Sequence, residues 1–135
     1  MDSSALVKLL VTEEGSDLAD EIWDGAHRLA ASRLTYVETR AALAAARRTQ
    51  RPSSRAAKLR EELEARWRGL DVLELDDAVA LLAGDVSDAF GLRAGDAIHL
   101  ASALTLQDPE LTLASWDARL RHAAAEAGLG LAPAL

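Results

Sequence analysis

The 135-residue chain has no cysteine, which rules out a disulfide framework, thiolate metal sites and thiol catalysis and agrees with a reducing compartment. Aromatic residues are nearly as scarce. Three Trp, one Tyr and one Phe, scattered along the sequence, make no base-stacking platform. No apolar run reaches the roughly 18 residues of a membrane span. The chain opens on an acid at Asp2, without the basic region and apolar segment of a secretory signal, so the expected location is the cytoplasm, with no membrane partner. Glycine-rich phosphate loops of the Walker and dinucleotide types are missing, and no Ser, His and Asp stand in a spacing that suggests a hydrolase triad.

Negative charge is absent from one stretch. The net charge of −7 argues against broad attraction to nucleic acid. Between Thr39 and Arg60, however, there is no acid, while Arg40, Arg47, Arg48, Arg51, Arg55, Lys58 and Arg60 all fall there. This segment is either a local phosphate-backbone contact, with Arg47, Arg48, Arg51 and Arg55 as its candidates, or a set of solvated helix faces.

Four acids stand apart from the polar helical stretches that hold most of the others. Asp2 lies in Met1-Asp-Ser-Ser4, Glu38 in Leu34-Thr-Tyr-Val-Glu38, Asp96 in Gly95-Asp-Ala-Ile-His99, and Asp117 in Ala114-Ser-Trp-Asp117. Each sits among residues used to build a core. A carboxylate resists desolvation unless it is paired, hydrogen-bonded or bound to a cation, so four of them drawn from across the chain suggest one cation site.

The patterning predicts helices over 4–11, 16–25 (capped by Ser16, with Leu18 and Ile22 facing inward), 34–50, 55–68, 76–90, 96–106 and 118–127. Pro52-Ser53-Ser54 separates the third from the fourth. Short strands are predicted at 28–32, 70–75, 111–115 and 129–131. Gly91 to Gly95 reads as a linker, with Asp96 starting the next helix. Strands alternating with helices imply an α/β fold, a short central parallel sheet flanked by helices on both faces, formed as one domain over residues 1–135. In such sheets sites form beyond the carboxyl ends of the strands, where Asp117 and Glu38 fall.

Each acid also has a structural reading. Asp2, Asp96 and Asp117 are all acceptable helix N-caps, and Thr35 with Glu38 matches a capping box. Yet Leu34, Thr35, Ala41 and Ala42, one turn either side of Glu38, offer it no basic partner. It therefore needs one from elsewhere in the fold. Asp96 heads a nearly all-apolar helix and would point toward a pocket floor. His99 reads as a hydrogen-bonded core histidine more readily than as a metal ligand, and His27 and His122 as surface residues.

Taken in order, Asp2-Ser-Ser-Ala-Leu-Val-Lys8, Ser32-Arg-Leu-x-x-Val-Glu38, Arg93-Ala-Gly-Asp-Ala-Ile-His-Leu100 and Ser115-Trp-Asp-x-Arg-Leu120 resemble the PIN-domain ribonucleases, most closely the VapC-type toxins of bacterial toxin–antitoxin pairs. The resemblance covers essentially the whole chain and implies a three-layer PIN-like fold. It also implies a metal-dependent endoribonuclease with Asp2, Glu38, Asp96 and Asp117 as catalytic acids. Asp2, Asp96 and Asp117 would hold Mg²⁺ or Mn²⁺, and Ser4 and Ser115 would support them from behind. The implied partners are RNA, a VapB-type antitoxin and a second copy in a homodimer. Family members carry several apolar residues before the first acid, as the central strand, whereas here only Met1 precedes Asp2. The native start then lies upstream, or that first strand is truncated. The alternative is a PIN-like module that binds RNA or protein without cleaving. A helical carboxylate-bridged di-iron protein ranks below both, because the Glu-x-x-His pairs of such bundles are missing.

Overall fold

The computed structural model describes residues 1–47 and 53–134, without the side chains of Arg47, Ser53 and Ser54. Its elements run α1 (Ser3–Lys8), α2 (Ser16–Gly25), β1 (Ala30–Ser32), α3 (Arg33–Arg47), α4 (Ser53–Trp67), β2 (Asp71–Leu73), α5 (Asp77–Phe90), α6 (Ala94–Leu104), β3 (Thr112–Ala114), α7 (Ala118–Glu126) and β4 (Gly130–Ala132). All pairing among the described strands is parallel, as expected for strands joined through helices. β1 pairs with β2 in the register Ala31↔Val72, and β3 with β4 in the register Leu113↔Leu131.

These are two ribbons of two strands each, and the first residues of the chain connect them. The Met1 ammonium donates to Ala30 O (2.6 Å) beside β1, and Asp2 N–H donates to Ala114 O (3.1 Å) at the end of β3. Met1 and Asp2 thus lie between the ribbons and deliver the Asp2 side chain into the gap.

Two apolar clusters cover this frame. Leu6, Leu9, Leu10, Leu43 and Leu63 form one, from α1 and the residues just after it, α3 and α4. Val79, Val86, Leu100, Leu113 and Leu120 anchor the other, from α5, α6, β3 and α7. Among the described residues no helix is long and apolar enough to cross a membrane.

Several local expectations are corrected. The strands are three residues each; β1, β2 and β3 are shorter than read from their apolar runs, because only those residues pair, and β4 has the expected length but is shifted by one residue to Gly130–Ala132. α1 stops at Lys8 rather than at Val11. Ser16 is the first residue of α2 and not its cap: Gly15, at φ 86°, takes that place, while Ser16 Oγ accepts from Glu13 N–H and donates to Val11 O. Leu18 is 39% exposed instead of facing inward. α6 begins at Ala94 after an extended Arg93, so residues 94 and 95 are helical and Asp96 lies within the first turn. The predicted end of the third helix at Gln50 and the Pro52 break lie outside the described residues.

Candidate active site

Asp2 is the most deeply held of the four acids, at 4% exposure. It caps α1 by accepting from Ala5 N–H at 3.1 Å. Ser4 Oγ donates between its two oxygens at 2.8 and 3.0 Å, and Ser115 Oγ donates to Oδ2 at 2.7 Å. Both serines also accept from the β3–α7 connection, Ser4 Oγ from Trp116 N–H and Ser115 Oγ from Asp117 N–H. Asp2 and the Ser115–Asp117 turn are therefore one hydrogen-bonded unit. Asp117 is exposed and caps α7, accepting from the N–H groups of Arg119 and Leu120.

Glu38 does not form the capping box that its sequence allows. The Thr35 hydroxyl is fully buried and has no hydrogen-bond partner among the described residues. Leu34 N–H near the start of α3 instead donates to Ser32 Oγ. The partner that Glu38 lacked in its own helix is His99 of α6: His99 Nε2 lies 2.7 Å from Glu38 Oε2. That bond, with a smaller contribution from Ser3, holds the Glu38 carboxyl below its ordinary range. An ionised carboxylate only accepts, so the proton resides on Nε2. His99 is thus the buried, hydrogen-bonded histidine expected, at 5% exposure.

Asp96 is shifted the opposite way. Burial raises its pKa, Asp117 and Glu38 raise it further by repulsion, and His99 and Arg93 oppose the rise. The fold therefore brings Glu38 and Asp117 each within electrostatic reach of Asp96, while Asp2 joins Asp117 through Ser115. Beside them a cavity of about 340 Å³ is lined by Ser3, Ser4, Lys8, Ala42, Trp116 and Asp117.

The charge imbalance around Asp96 and an all-carboxylate donor set suit a hard divalent cation, which prefers oxygen ligands. Among the described residues no three His, Asp or Glu side chains yet converge on a single ion position. The fit is one of charge and donor chemistry. Of the candidate phosphate contacts, Arg55 is exposed on α4, and Arg48, Arg51 and the Arg47 side chain lie outside the described residues.

The PIN domain model matches residues 1–126 of the chain. The chain belongs to the PIN-domain family. This PIN domain is 47% identical over 134 residues to Ribonuclease VapC45 of Mycobacterium tuberculosis (strain CDC 1551 / Oshkosh) and to Ribonuclease VapC49 of strain H37Rv of the same organism, covering 98% of this chain and 93% of each relative. It is 36% identical over 131 residues to Ribonuclease VapC46 of strain H37Rv, covering 97% and 93%.

Sequence reading did not find three contributors to this PIN-domain site: Ser3 and Gly95 beside Glu38, and Arg93 beside Asp96. The signal available for one of them was the spacing Gly95-Asp96-x-x-His99, which puts Gly95 and His99 on one helical face.

Proposed function

We propose that this protein is a divalent-metal-dependent endoribonuclease acting as the toxin of a toxin–antitoxin pair. The observation that carries the reading is the unbalanced negative charge at Asp96 beside Asp117 and Glu38, in a chain 47% identical over nearly its whole length to proteins named ribonucleases. Asp2, Asp96 and Asp117 are the proposed holders of Mg²⁺ or Mn²⁺. Such an ion supplies Lewis acidity toward the scissile phosphodiester and its attacking water.

The residues divide the remaining work. Ser4 reaches both Asp2 oxygens, so turning its hydroxyl frees a lone pair for ligation, while Ala5 N–H keeps Oδ1 and Ser115 keeps Oδ2 in place. Glu38, ionised and anchored through one oxygen, orients the water and accepts its proton through the other. Attack by water leaves 5′-phosphate and 3′-hydroxyl ends. Arg47, Arg48, Arg51 and Arg55 are proposed to steady the RNA backbone.

Val37, Ala41, Ala44 and Ala45 form an exposed apolar stripe on α3. It supports docking of an amphipathic segment from a VapB-type antitoxin; a homodimer and a cytoplasmic location complete the reading, as does the assignment of residues 1–135 to one domain. The second reading is a PIN-like module that binds RNA or protein without cleaving.

Incubation with total RNA in Mg²⁺ or Mn²⁺, with and without EDTA and beside Asp96→Asn, separates the two. We expect metal-dependent cuts that fall by orders of magnitude in the variant while its fold persists. Intact RNA with either ion, from folded protein free of antitoxin, would favour the binding module.

A further inference from the structure

Glu38 stands on α3, and its carboxylate meets His99 and Gly95 of α6, with a smaller contribution from Ser3 of α1. His99 Nε2 holds Oε2 at 2.7 Å, and this is the only hydrogen bond of the ring among the described residues, since the buried Nδ1 has no partner. The other oxygen rests on backbone: a Cβ added at Gly95 would lie 2.8 Å from Glu38 Oε1 and 3.8 Å from a Leu34 methyl. Real Cβ atoms essentially never approach an atom so closely. Gly95 is helical, where glycine is a poor choice for stability, so its value at this position is the space it leaves.

We propose that the first turns of α6 clamp Glu38, with Gly95 clearing room for one carboxylate oxygen and His99 fixing the other, so that the Gly95-Asp96-x-x-His99 segment sets the geometry between Glu38 and Asp96. His99 and Gly95 are positioning residues that act through Glu38. The inference deepens the ribonuclease reading and rests on it for its kinetic consequences, while the clamp itself is a statement about this fold.

Its components separate cleanly. His99→Gln places an amide N–H near the position of Nε2 and keeps a donor for Glu38; His99→Leu removes the donor. Gly95→Ala should leave the melting temperature unchanged or raise it, because alanine is the better helix former, yet it pushes on Oε1. With RNA as substrate, His99→Leu and Gly95→Ala should each lower kcat by roughly 10–100-fold with little change in KM, the range seen when supporting hydrogen bonds of such sites are removed. His99→Gln should retain most of the activity. In a Glu38→Gln background, His99→Leu should cost nothing further. An unchanged kcat in His99→Leu, or a loss of equal size in both backgrounds, would overturn the clamp.

A second readout needs no catalysis. In the metal-free protein, ¹⁵N spectra of the three imidazoles should show His99 protonated at Nε2, with a signal displaced by Glu38→Gln and unmoved in the other two rings. If wild-type protein leaves RNA intact but this signature holds, the nuclease reading falls and the clamp stands. If the signature is missing from actively cleaving protein, the clamp falls alone.

Discussion

Asp2 receives donors from Ser4 Oγ, Ala5 N–H and Ser115 Oγ at 4% exposure, so its charge is tolerated in the core because its oxygens are already satisfied. Removing one donor there is more serious than at the surface. Ser115→Ala also strips the acceptor from Asp117 N–H, and we expect it to destabilise the protein by about 1–3 kcal/mol, measured by urea unfolding. The other acids respond to pH in opposite senses. Asp96 has its folded pKa raised, so the native state binds more protons than the unfolded chain, and stability falls as pH rises through that window. Glu38 has its folded pKa lowered, so its contribution is present at neutral pH and is lost as pH falls through the folded value. Asp96→Asn should therefore raise the melting temperature of the metal-free protein near pH 7 more than near about pH 4, and Glu38→Gln should lower it more near neutrality. Thermal denaturation in EDTA at the two pH values checks both signs, and a pH-independent Asp96→Asn effect would contradict the repulsion.

Among the elements, α7 supplies the brace for the edge of the frame. Arg121 Nη1 donates to Ser115 O (2.8 Å) and Ala132 O (3.1 Å), and its Nη2 donates to Pro133 O (2.8 Å). One guanidinium thus joins the ends of β3 and β4. Arg121→Met keeps the aliphatic stem but leaves three carbonyls without this donor, and should cost about 1–3 kcal/mol. Lys should rescue it poorly, since a point charge cannot reproduce the fork; the same unfolding assay compares the two variants. The sequence made elements of this kind legible where local chemistry defines them: Asp76 caps α5 and Gly91 ends it at φ 64°, and both residue types advertise those roles. It misled at α6, whose cap position is Arg93, extended and without a capping side chain, so the first acid in the segment looked like the start. Strand ends were overread for a related reason. The run Leu111 to Ser115 continues past the paired residues, and Ser115 is buried although it lies outside β3.

For the whole molecule, what could not be read locally is which distant groups meet. The sequence pointed to His99 as a hydrogen-bonded core residue and to Glu38 as a carboxylate in need of a partner, but not to each other, because their bond spans 61 positions. The same is true of the Ser115 link to Asp2, 113 positions apart. The two apolar clusters, built on Leu6 and Leu63 and on Leu100 and Leu120, are likewise assembled from segments far apart in the chain, a topology associated with slow folding. That closure bears on synthesis. Asp2 leaves the ribosome well before the hydroxyl that steadies it, which is added 113 positions later. A partly made chain has the first acid without its Ser115 anchor, and without Asp117. If the protein cuts RNA, the pocket that does so cannot close until residues 115 to 117 have emerged as well, so a ribosome still short of that point carries no finished nuclease.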